Sequence, residues 1–264
     1  MTSTRLWDRA ADLPMVVGRR PRPEIVALPA DELPSVAALF TFMRDAELRF
    51  GTLRMRIEER TFGATGAQVA IVEVALRHPS DAKVTTTQPA LGAIANHELW
   101  ISDGEVVRTY SAPHKLGTER PVRRSVVGVS GPGSRDLPGP SRVYAPLTPL
   151  PMETLPETFV HPAGYCQNVL ATGTCRIDGL VDVGGREAIV VACDHPRTIE
   201  MSADRPDFRI RIAVDRADGV ILRLEETVAG IVTRDAQVIE YEPDAPLAAN
   251  TFDFTFPTGT TMLY

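Results

Sequence analysis

The feature that most constrains the fold is an alternation of apolar and charged residues with a period of two. Strands place successive side chains on opposite faces, so this pattern is typical of a strand with one face buried and one in water. It is clearest in residues 53–58 and 208–214. The inward-facing residues of these two segments are Leu53, Met55 and Ile57, and Phe208, Ile210 and Ile212.

Short turns separate the alternating segments. Asp-Gly at 103–104 and 218–219, Gly-Gly at 184–185 and Ala-Gly at 229–230 are typical turn residues of β-hairpins. Roughly ten or eleven strands follow from this reading, and strands joined by tight turns are expected to be antiparallel neighbours in sequence order. The chain is therefore predicted to form one large antiparallel sheet.

One helix is predicted beside the strands. Residues 35–50 carry apolar side chains at helical spacing, begin with the favourable N-cap Ser35, and are followed by Gly51. A short helix around 152–159 is considered, although Pro156 argues against a regular one. The predicted fold class is α+β, mainly β.

Two proline-rich segments define the predicted domain organisation. Residues 1–34 contain Arg-Arg-Pro-Arg-Pro and repeated Leu-Pro pairs, which hold a chain extended. Residues 128–164 are rich in Gly and Pro and are interpreted as a flap or a linker. We predict an extended N-terminal arm at 1–34 and a single domain at 35–264 that includes the flap.

Charge and hydropathy exclude several classes of protein. The 28 Lys and Arg residues and 34 Asp and Glu residues give a net charge of −6, and a mildly acidic chain repels phosphate backbones. The N-terminus shows no apolar stretch of signal-peptide length, and the apolar runs fall short of the ~20 residues of a membrane helix. We expect a cytoplasmic protein that neither spans a membrane nor binds nucleic acid.

Cysteine and histidine side chains are the candidates for catalysis or metal binding. Their spacing matches no standard zinc site, and no local signature places a base beside a thiol. Cys175 and Cys193 flank the Gly-Gly turn almost symmetrically and could lie near each other, so disulfide formation by these two residues or by Cys166 is left open. Neither a catalytic residue nor a metal or cofactor is predicted. The residues considered are His161, Cys166, Cys175, Cys193 and His195.

The order of elements resembles that of a known family. One helix, a meander, a middle segment, a second meander and a terminal Phe-x-Phe are similar to the lipoprotein-carrier superfamily, which includes LolA, RseB and mycobacterial lipid-binding lipoproteins such as LppX. The resemblance implies an unclosed β-barrel, a strongly curved sheet whose apolar concave side is plugged by helices and a loop. Family members act outside the cytoplasm, whereas no export signal is visible here. The matching segments are 50–57, 100–104 with Tyr110, 208–224 and 250–259.

Two interpretations of the inward-facing residues remain open, because they can form ordinary core or line a ligand cavity. The predicted function is a non-enzymatic protein that carries or senses a hydrophobic lipid, acyl group or lipidated partner in the concave cavity. The alternative is an RseB-like regulatory or assembly module that binds a protein through the arm or the sheet edge. The predicted ligand-binding residues are Leu53, Met55, Ile57, Trp100, Phe208, Ile210 and Ile212.

The charged residues that alternate with these positions also allow two interpretations. Arginines at 54, 56, 209 and 211 point away from the predicted core. They form either a solvated outer surface or a charged docking face for a partner protein.

Overall fold

The structure, a computed structural model, describes most of the predicted domain. The predicted arm at 1–34 and the flap at 128–164 lie only partly within the described residues, so both remain predictions. The described residues are 27–29, 32–64, 66–91, 96–122, 146–197 and 205–263.

Three helices and twelve strands are present in these ranges. The helices are α1 (Val36–Arg44), α2 (Leu155–Val160) and α3 (Ala163–Asn168), with 3-10 turns at Ala46–Arg49, Pro89–Leu91 and Leu170–Thr172. The strands are β1 (Thr52–Gly63), β2 (Gly66–Arg77), β3 (Asp81–Thr87), β4 (His97–Ser102), β5 (Val106–Ser111), β6 (Leu116–Pro121), β7 (Thr174–Val183), β8 (Arg186–Asp194), β9 (Phe208–Asp215), β10 (Ile221–Val228), β11 (Ile231–Pro243) and β12 (Thr261–Leu263).

All twelve strands belong to one sheet, in the order β12-β6-β5-β4-β3-β2-β1-β11-β10-β9-β8-β7. Neighbouring strands are antiparallel except β12 and β6, which run parallel. The two meanders meet where β1 pairs with β11, from Leu53 opposite Pro243 to Thr61 opposite Arg234. The outermost strands, β12 and β7, do not pair with each other, so the curved sheet is unclosed.

The predicted fold class is therefore confirmed. The two meanders together contain eleven strands, which is the upper end of the predicted count. The twelfth strand was not predicted, because its three residues after Gly259 are too few to show a period of two.

Helix α1 begins where the sequence predicts but ends earlier. The Ser35 hydroxyl accepts a hydrogen bond from the backbone N–H three residues further on, at 3.2 Å. After Arg44 the chain tightens into a 3-10 turn. Arg49 donates to the carbonyl of Phe42 at 2.9 Å and to that of Asp218 at 3.2 Å. The Arg49 side chain thus bonds the helix-end carbonyl of Phe42 and links it to the β9–β10 turn.

Helix α2 exists despite its proline. Pro156 occupies the first turn, where backbone N–H groups have no intrahelical acceptor and a proline is tolerated. The interpretation that Pro156 argues against a regular helix was therefore wrong. The helix buries Leu155, Phe159 and Val160 against the sheet.

Two separate apolar clusters lie on the two faces of the sheet. The concave cluster lies between the helices and strands β1–β3 and β7–β11. The back cluster lies on the opposite face of β4 and β5, under residues 245–259 of the C-terminal segment. Its buried members are Leu99, Ile101, Tyr110 and Phe252, against which Phe254 and Phe256 pack.

Candidate ligand-binding face

Six of the seven predicted ligand-binding residues lie in the concave cluster, and none of the six is more than 2% exposed. They come from two strands, β1 and β9, which are separated in the sheet by β11 and β10. The structure thus brings both predicted trios to one face. We call them the floor residues: Leu53, Met55, Ile57, Phe208, Ile210 and Ile212.

Trp100, the seventh predicted residue, lies at the border of the floor. It is directly opposite Val84 on β3, is partly exposed, and packs against the concave cluster. Beyond it, the same face becomes polar. Thr109 lies opposite Trp100 on β5, and its hydroxyl is 2.6 Å from that of Thr118 on β6. The ligand role of all seven residues stays a prediction.

Short helices cover the floor. Helix α1 buries Leu39, Phe42 and Met43, and helices α2 and α3 together add Phe159 and Cys166. The Cys166 thiol lies 3.8 Å from the sulfur of Met43. Helices of six residues are not stable alone, because the free-energy cost of nucleation exceeds the stabilisation from so few hydrogen bonds. We call α2 and α3, residues 155–168, the helical cover, and its position depends on the apolar surface beneath it.

Two histidines hold the chain that leads into this cover. Nδ1 of His78 is 2.8 Å from the Thr148 hydroxyl, and Nε2 of His161 donates to the Thr148 carbonyl at 2.9 Å. On its other side, Nδ1 of His161 is 3.3 Å from a carboxylate oxygen of Glu47, which also accepts from the Leu147 N–H at 2.9 Å. We call His78, Thr148 and His161 the histidine latch.

Burial controls the charge of the histidine latch. It lowers the pKa of His78 to about 4, and it lowers the pKa of His161 to about 4 as well, with the neighbouring His78 acting in the same direction. Both rings are therefore neutral at pH 7. The sequence analysis considered His161 only as a catalytic or metal residue, and it missed His78, because the two are 83 positions apart and no local motif links them.

A buried ion-pair network fixes the other side of α1. Arg186 pairs with Asp215 at 2.5 Å and with Asp218 at 2.8 Å, and the Tyr241 hydroxyl donates to Asp218 at 3.0 Å. Asp215 is 1% exposed and also accepts from the backbone N–H groups of residues 217 and 218. Gly219, in the Asp218-Gly219 turn that follows, lies so close to Phe42 that a Cβ added to it would be 3.0 Å from the ring. This network holds the β9–β10 turn against the helix.

The three cysteines are free thiols, and the structure brings two of them together. Cys175 and Cys193 are directly opposite across the β7–β8 hairpin. The sulfur atoms of both lie near the Leu170 carbonyl oxygen, at 3.2 and 3.4 Å. The pKa of Cys166 is raised by burial, and that of Cys193 by its hydrogen bond with Cys175 and by burial. Cys166 and Cys193 are therefore poor nucleophiles at neutral pH, whereas the hydrogen bond with Cys193 lowers the pKa of Cys175.

Grouped metal ligands and membrane-crossing helices are both absent from the described residues. Across its described ranges, no three His, Cys, Asp or Glu side chains are grouped as metal ligands would be. Within the same residues, no helix has the length and apolar character that crossing a bilayer requires.

The four outward-facing arginines are all paired with carboxylates. Arg54 contacts Glu242 at 3.3 Å, and Arg56 contacts Glu240 at 3.1 Å. Arg209 and Arg211 contact Asp194 and Asp178, each at 3.1 Å. Exposed pairs of this kind contribute about 0 to 1 kcal/mol each. The contacts favour a solvated outer surface of mixed charge over a positively charged docking face.

Comparisons with known proteins concern the fold. No family model and no curated protein sequence matches the chain. Among solved structures, an uncharacterized conserved protein from Thermus thermophilus is 10% identical, with 86% of this chain and 98% of that chain covered and a TM-score of 0.47. The Pseudomonas aeruginosa MucA/MucB complex gives 13% identity, coverage of 83% and 60%, and a TM-score of 0.45. The chain thus spans about three fifths of that matched chain.

A LolA superfamily protein from Nitrosomonas europaea also matches, with 9% identity, coverage of 84% of this chain and 99% of that chain, and a TM-score of 0.31. These likenesses agree with the resemblance predicted from the sequence. At such identities and TM-scores they support no argument about function, and the half-barrel assignment rests on the strand order itself.

Proposed function

We propose that this protein is a non-enzymatic binding protein that holds a hydrophobic ligand with a long alkyl chain on its concave face. The supporting observation is that, among the described residues, the floor is covered by helices of only nine, six and six residues. A cover of this kind can be displaced without breaking the sheet. A carrier or a sensor of a lipid or acyl group needs such a surface.

Exchange of the cover for a ligand replaces one apolar contact with the floor by another. When α2 and α3 leave the floor, apolar area is exposed to water at a cost of ~25 cal/mol per Å². An alkyl chain that takes their place recovers about 0.8 kcal/mol for each buried methylene group. Aliphatic and Met side chains such as Met55, Ile57 and Ile212 suit this ligand because they provide area and adaptable shape without directed hydrogen bonds.

The proposal is tested with delipidated protein and cis-parinaric acid, a fluorescent probe with a long alkyl chain. We expect saturable binding, together with faster amide hydrogen exchange in residues 155–168 on binding. The absence of binding for this probe and for neutral alkyl lipids would refute the proposal. Unchanged exchange in the helical cover would refute displacement.

A matched pair of conservative variants tests which face of the sheet binds the probe. Ile57→Val removes one methyl group from the floor, and Ile101→Val makes the same change in the back cluster, where the side chain is 1% exposed against 0% for Ile57. We expect Ile57→Val to weaken probe binding about 2- to 4-fold, which corresponds to ~0.4 to 0.8 kcal/mol. Ile101→Val should lower stability similarly, by ~0.5 to 1.5 kcal/mol, and leave binding unchanged.

A second candidate function, recognition of a protein partner, is favoured by the open edge of the sheet. Strand β7 is the last strand beside β8, and no described strand pairs with its outer edge. Leu180 and Val181 are 47% and 41% exposed on it. A partner segment could add to this edge as a further strand. Partner recovery that survives Val181→Pro would refute edge pairing, and recovery that survives deletion of residues 1–34 would refute a role for the arm.

A further inference from the structure

Two of the three cysteines lie directly opposite each other at the open edge of the sheet. Cys175 of β7 pairs with Cys193 of β8, and β7 is the outermost described strand on this side. Their sulfur atoms lie 3.2 Å and 3.4 Å from the same atom, the Leu170 carbonyl oxygen. Directly opposite residues of an antiparallel pair have Cα atoms about 4.5 to 5.5 Å apart, within the range of about 4.4 to 6.8 Å that a disulfide spans. The two thiols can therefore be joined without a change of strand register.

The two thiols differ in exposure and in proton affinity. Cys175 is partly exposed, whereas Cys193 is 1% exposed and lies beneath the chain at Gly173, where an added Cβ would be 2.8 Å from its sulfur. A hydrogen bond donated by Cys193 lowers the pKa of Cys175, and the same bond raises the pKa of Cys193. The thiolate is the attacking species in disulfide exchange. The pair thus combines an accessible thiol that reacts first with a shielded thiol that follows.

We propose that Cys175 and Cys193 form a reversible thiol–disulfide pair that reacts with low-molecular-weight disulfides and, when oxidised, loosens the chain that leaves the helical cover. This inference goes beyond the proposed function, since it requires no ligand. The Cys175 thiolate attacks one sulfur of a disulfide such as oxidised glutathione, whose S–S bond breaks to release one glutathione thiol. Cys193 then loses its proton and attacks the Cys175 sulfur of the mixed disulfide, and the second glutathione leaves. Two protein thiols are oxidised, one glutathione disulfide is reduced, and both protein protons end on the two glutathione thiols.

The first step favours the second. In the reduced protein, the hydrogen bond with Cys175 is the largest cause of the raised pKa of Cys193, and the negative charge of the Cys175 thiolate adds to it. A mixed disulfide at Cys175 carries no thiolate, so both of these causes are removed and only burial and the nearby Asp194 still raise the pKa of Cys193. The sulfur to be attacked is already opposite Cys193, so the second step is intramolecular.

Oxidation also changes the contact with the chain that leaves the helical cover. Leu170 lies in the 3-10 turn after α3 and is 0% exposed. In the reduced protein its carbonyl accepts from the Cys175 thiol and from the N–H of Gly173, the latter at 3.1 Å. A disulfide has no S–H to donate, so the turn keeps the backbone bond and loses the bond to the thiol. Residues 169–173 should therefore open more readily in the oxidised protein.

Glutathione redox buffers on the full chain test the pair, with acid quenching, alkylation of the remaining thiols and peptide mass spectrometry. In an oxidising buffer we expect the wild-type protein to form the disulfide between Cys175 and Cys193 and to keep Cys166, which is 4% exposed, as a thiol. A reducing buffer should restore all three thiols. Persistence of both paired thiols in the oxidising buffer would overturn the inference. Reaction of Cys166 as fast as Cys175 would also overturn it, because the thiols would then react through general unfolding.

Single-cysteine variants separate the two steps. Cys193→Ala should stop at the mixed disulfide of Cys175 with glutathione, and Cys175→Ala should slow the reaction of Cys193 about 10-fold or more. The matched control Cys166→Ala removes the third thiol from the same apolar cluster and should leave the rate of disulfide formation within about 2-fold. Reaction of Cys193 at the wild-type rate in Cys175→Ala would overturn the order of attack.

Hydrogen exchange of the oxidised and reduced wild-type protein tests the effect on the chain. We expect exchange at residues 169–173 to be about 3-fold faster after oxidation, because a weak hydrogen bond to the Leu170 carbonyl is lost. Exchange in the back cluster should be the same in both forms. Equal exchange at 169–173 in both forms would overturn the loosening.

Discussion

The concave face and the back face of this sheet both bury apolar side chains, but they are covered in different ways. On the back face, one extended segment at 245–259 runs between β11 and β12 and lays three phenylalanines on the sheet. Phe254 and Phe256 meet edge to face at 5.0 Å, and both contact the ring of Tyr110. On the concave face, short helices form the cover, and the histidine latch holds the chain that leads into it.

This difference explains how the cover of one face can be permanent while the cover of the other face can be displaced. The back segment is held at both ends by strands of the same sheet, so it cannot leave without disrupting β12. Gly117 fits this arrangement, because a Cβ there would lie 2.6 Å from the Phe256 ring. Within residues 146–154, which lead into the helical cover, the chain forms no strand and is held instead by the histidine latch. Local opening is therefore expected on the concave side first.

The largest expected effect is on the back face. Phe252 is 8% exposed and lies under the Arg77 guanidinium, 5.0 Å from it. Phe252→Ala should lower the free energy of unfolding by about 3 to 4 kcal/mol, because a buried ring is lost from a cover that cannot move away. Urea denaturation measures this, and cis-parinaric acid binding should be unchanged. Probe binding weakened by more than about 2-fold would show that the two faces are coupled.

A smaller effect is expected from the equivalent change in the helical cover. Phe159 is 0% exposed, yet Phe159→Ala should lower the free energy of unfolding by only about 2 kcal/mol, since the cover can undock rather than hold a cavity. Probe affinity should rise, because displacement costs less. Hydrogen exchange of residues 155–168 measures the undocking. A loss as large as that of Phe252→Ala, without faster exchange, would contradict an exchangeable cover.

The smallest effect is expected from pH. Burial lowers the pKa of His78 and of His161 to about 4, below the ordinary value of 6.5, so the undocked chain binds protons more readily than the docked one. Docking is therefore fully stable above about pH 6.5 and is weakened as pH falls from about 6.5 towards 4. We expect a loss of about 1.5 kcal/mol by about pH 6, seen as faster exchange at 155–168 while the back cluster is unchanged.

Proton NMR titration of the His161 ring checks the cause of this pH dependence. Its pKa should lie well below 6.5, and Thr148→Val should bring it closer to that value by loosening the latch. A pKa above 6.5 would mean that the Glu47 carboxylate, 3.3 Å away, outweighs burial. In that case docking would strengthen in mild acid, opposite to the expected direction.

Much of the fold followed from local patterns. The alternation at 53–58 and 208–214 predicted two strands, and all six inward-facing residues are in the concave cluster. Asp218-Gly219 predicted a hairpin turn, which is observed between β9 and β10. These predictions succeed because strand faces and turns are set within a few residues. Helix α2 was doubted because the sequence could not show that Pro156 lies in a first turn.

Contacts between distant residues were beyond the reach of sequence patterns. The histidine latch joins His78 to Thr148 and His161, which are 70 and 83 positions away. The pairing of Cys175 with Cys193 was foreseen as an open possibility, since both flank one turn, and the observed register places them opposite each other as free thiols.

The sequence by itself determined that this chain forms an antiparallel sheet with one apolar face on β1 and β9, because a period of two and glycine-rich turns act over neighbouring residues. Only the tertiary structure decided which face the helices cover, that residues 245–259 close the other, and that two distant histidines hold the chain that leads into the cover. The physical reason is that the curvature and strand order of the sheet choose which distant side chains meet, and burial then sets their charge.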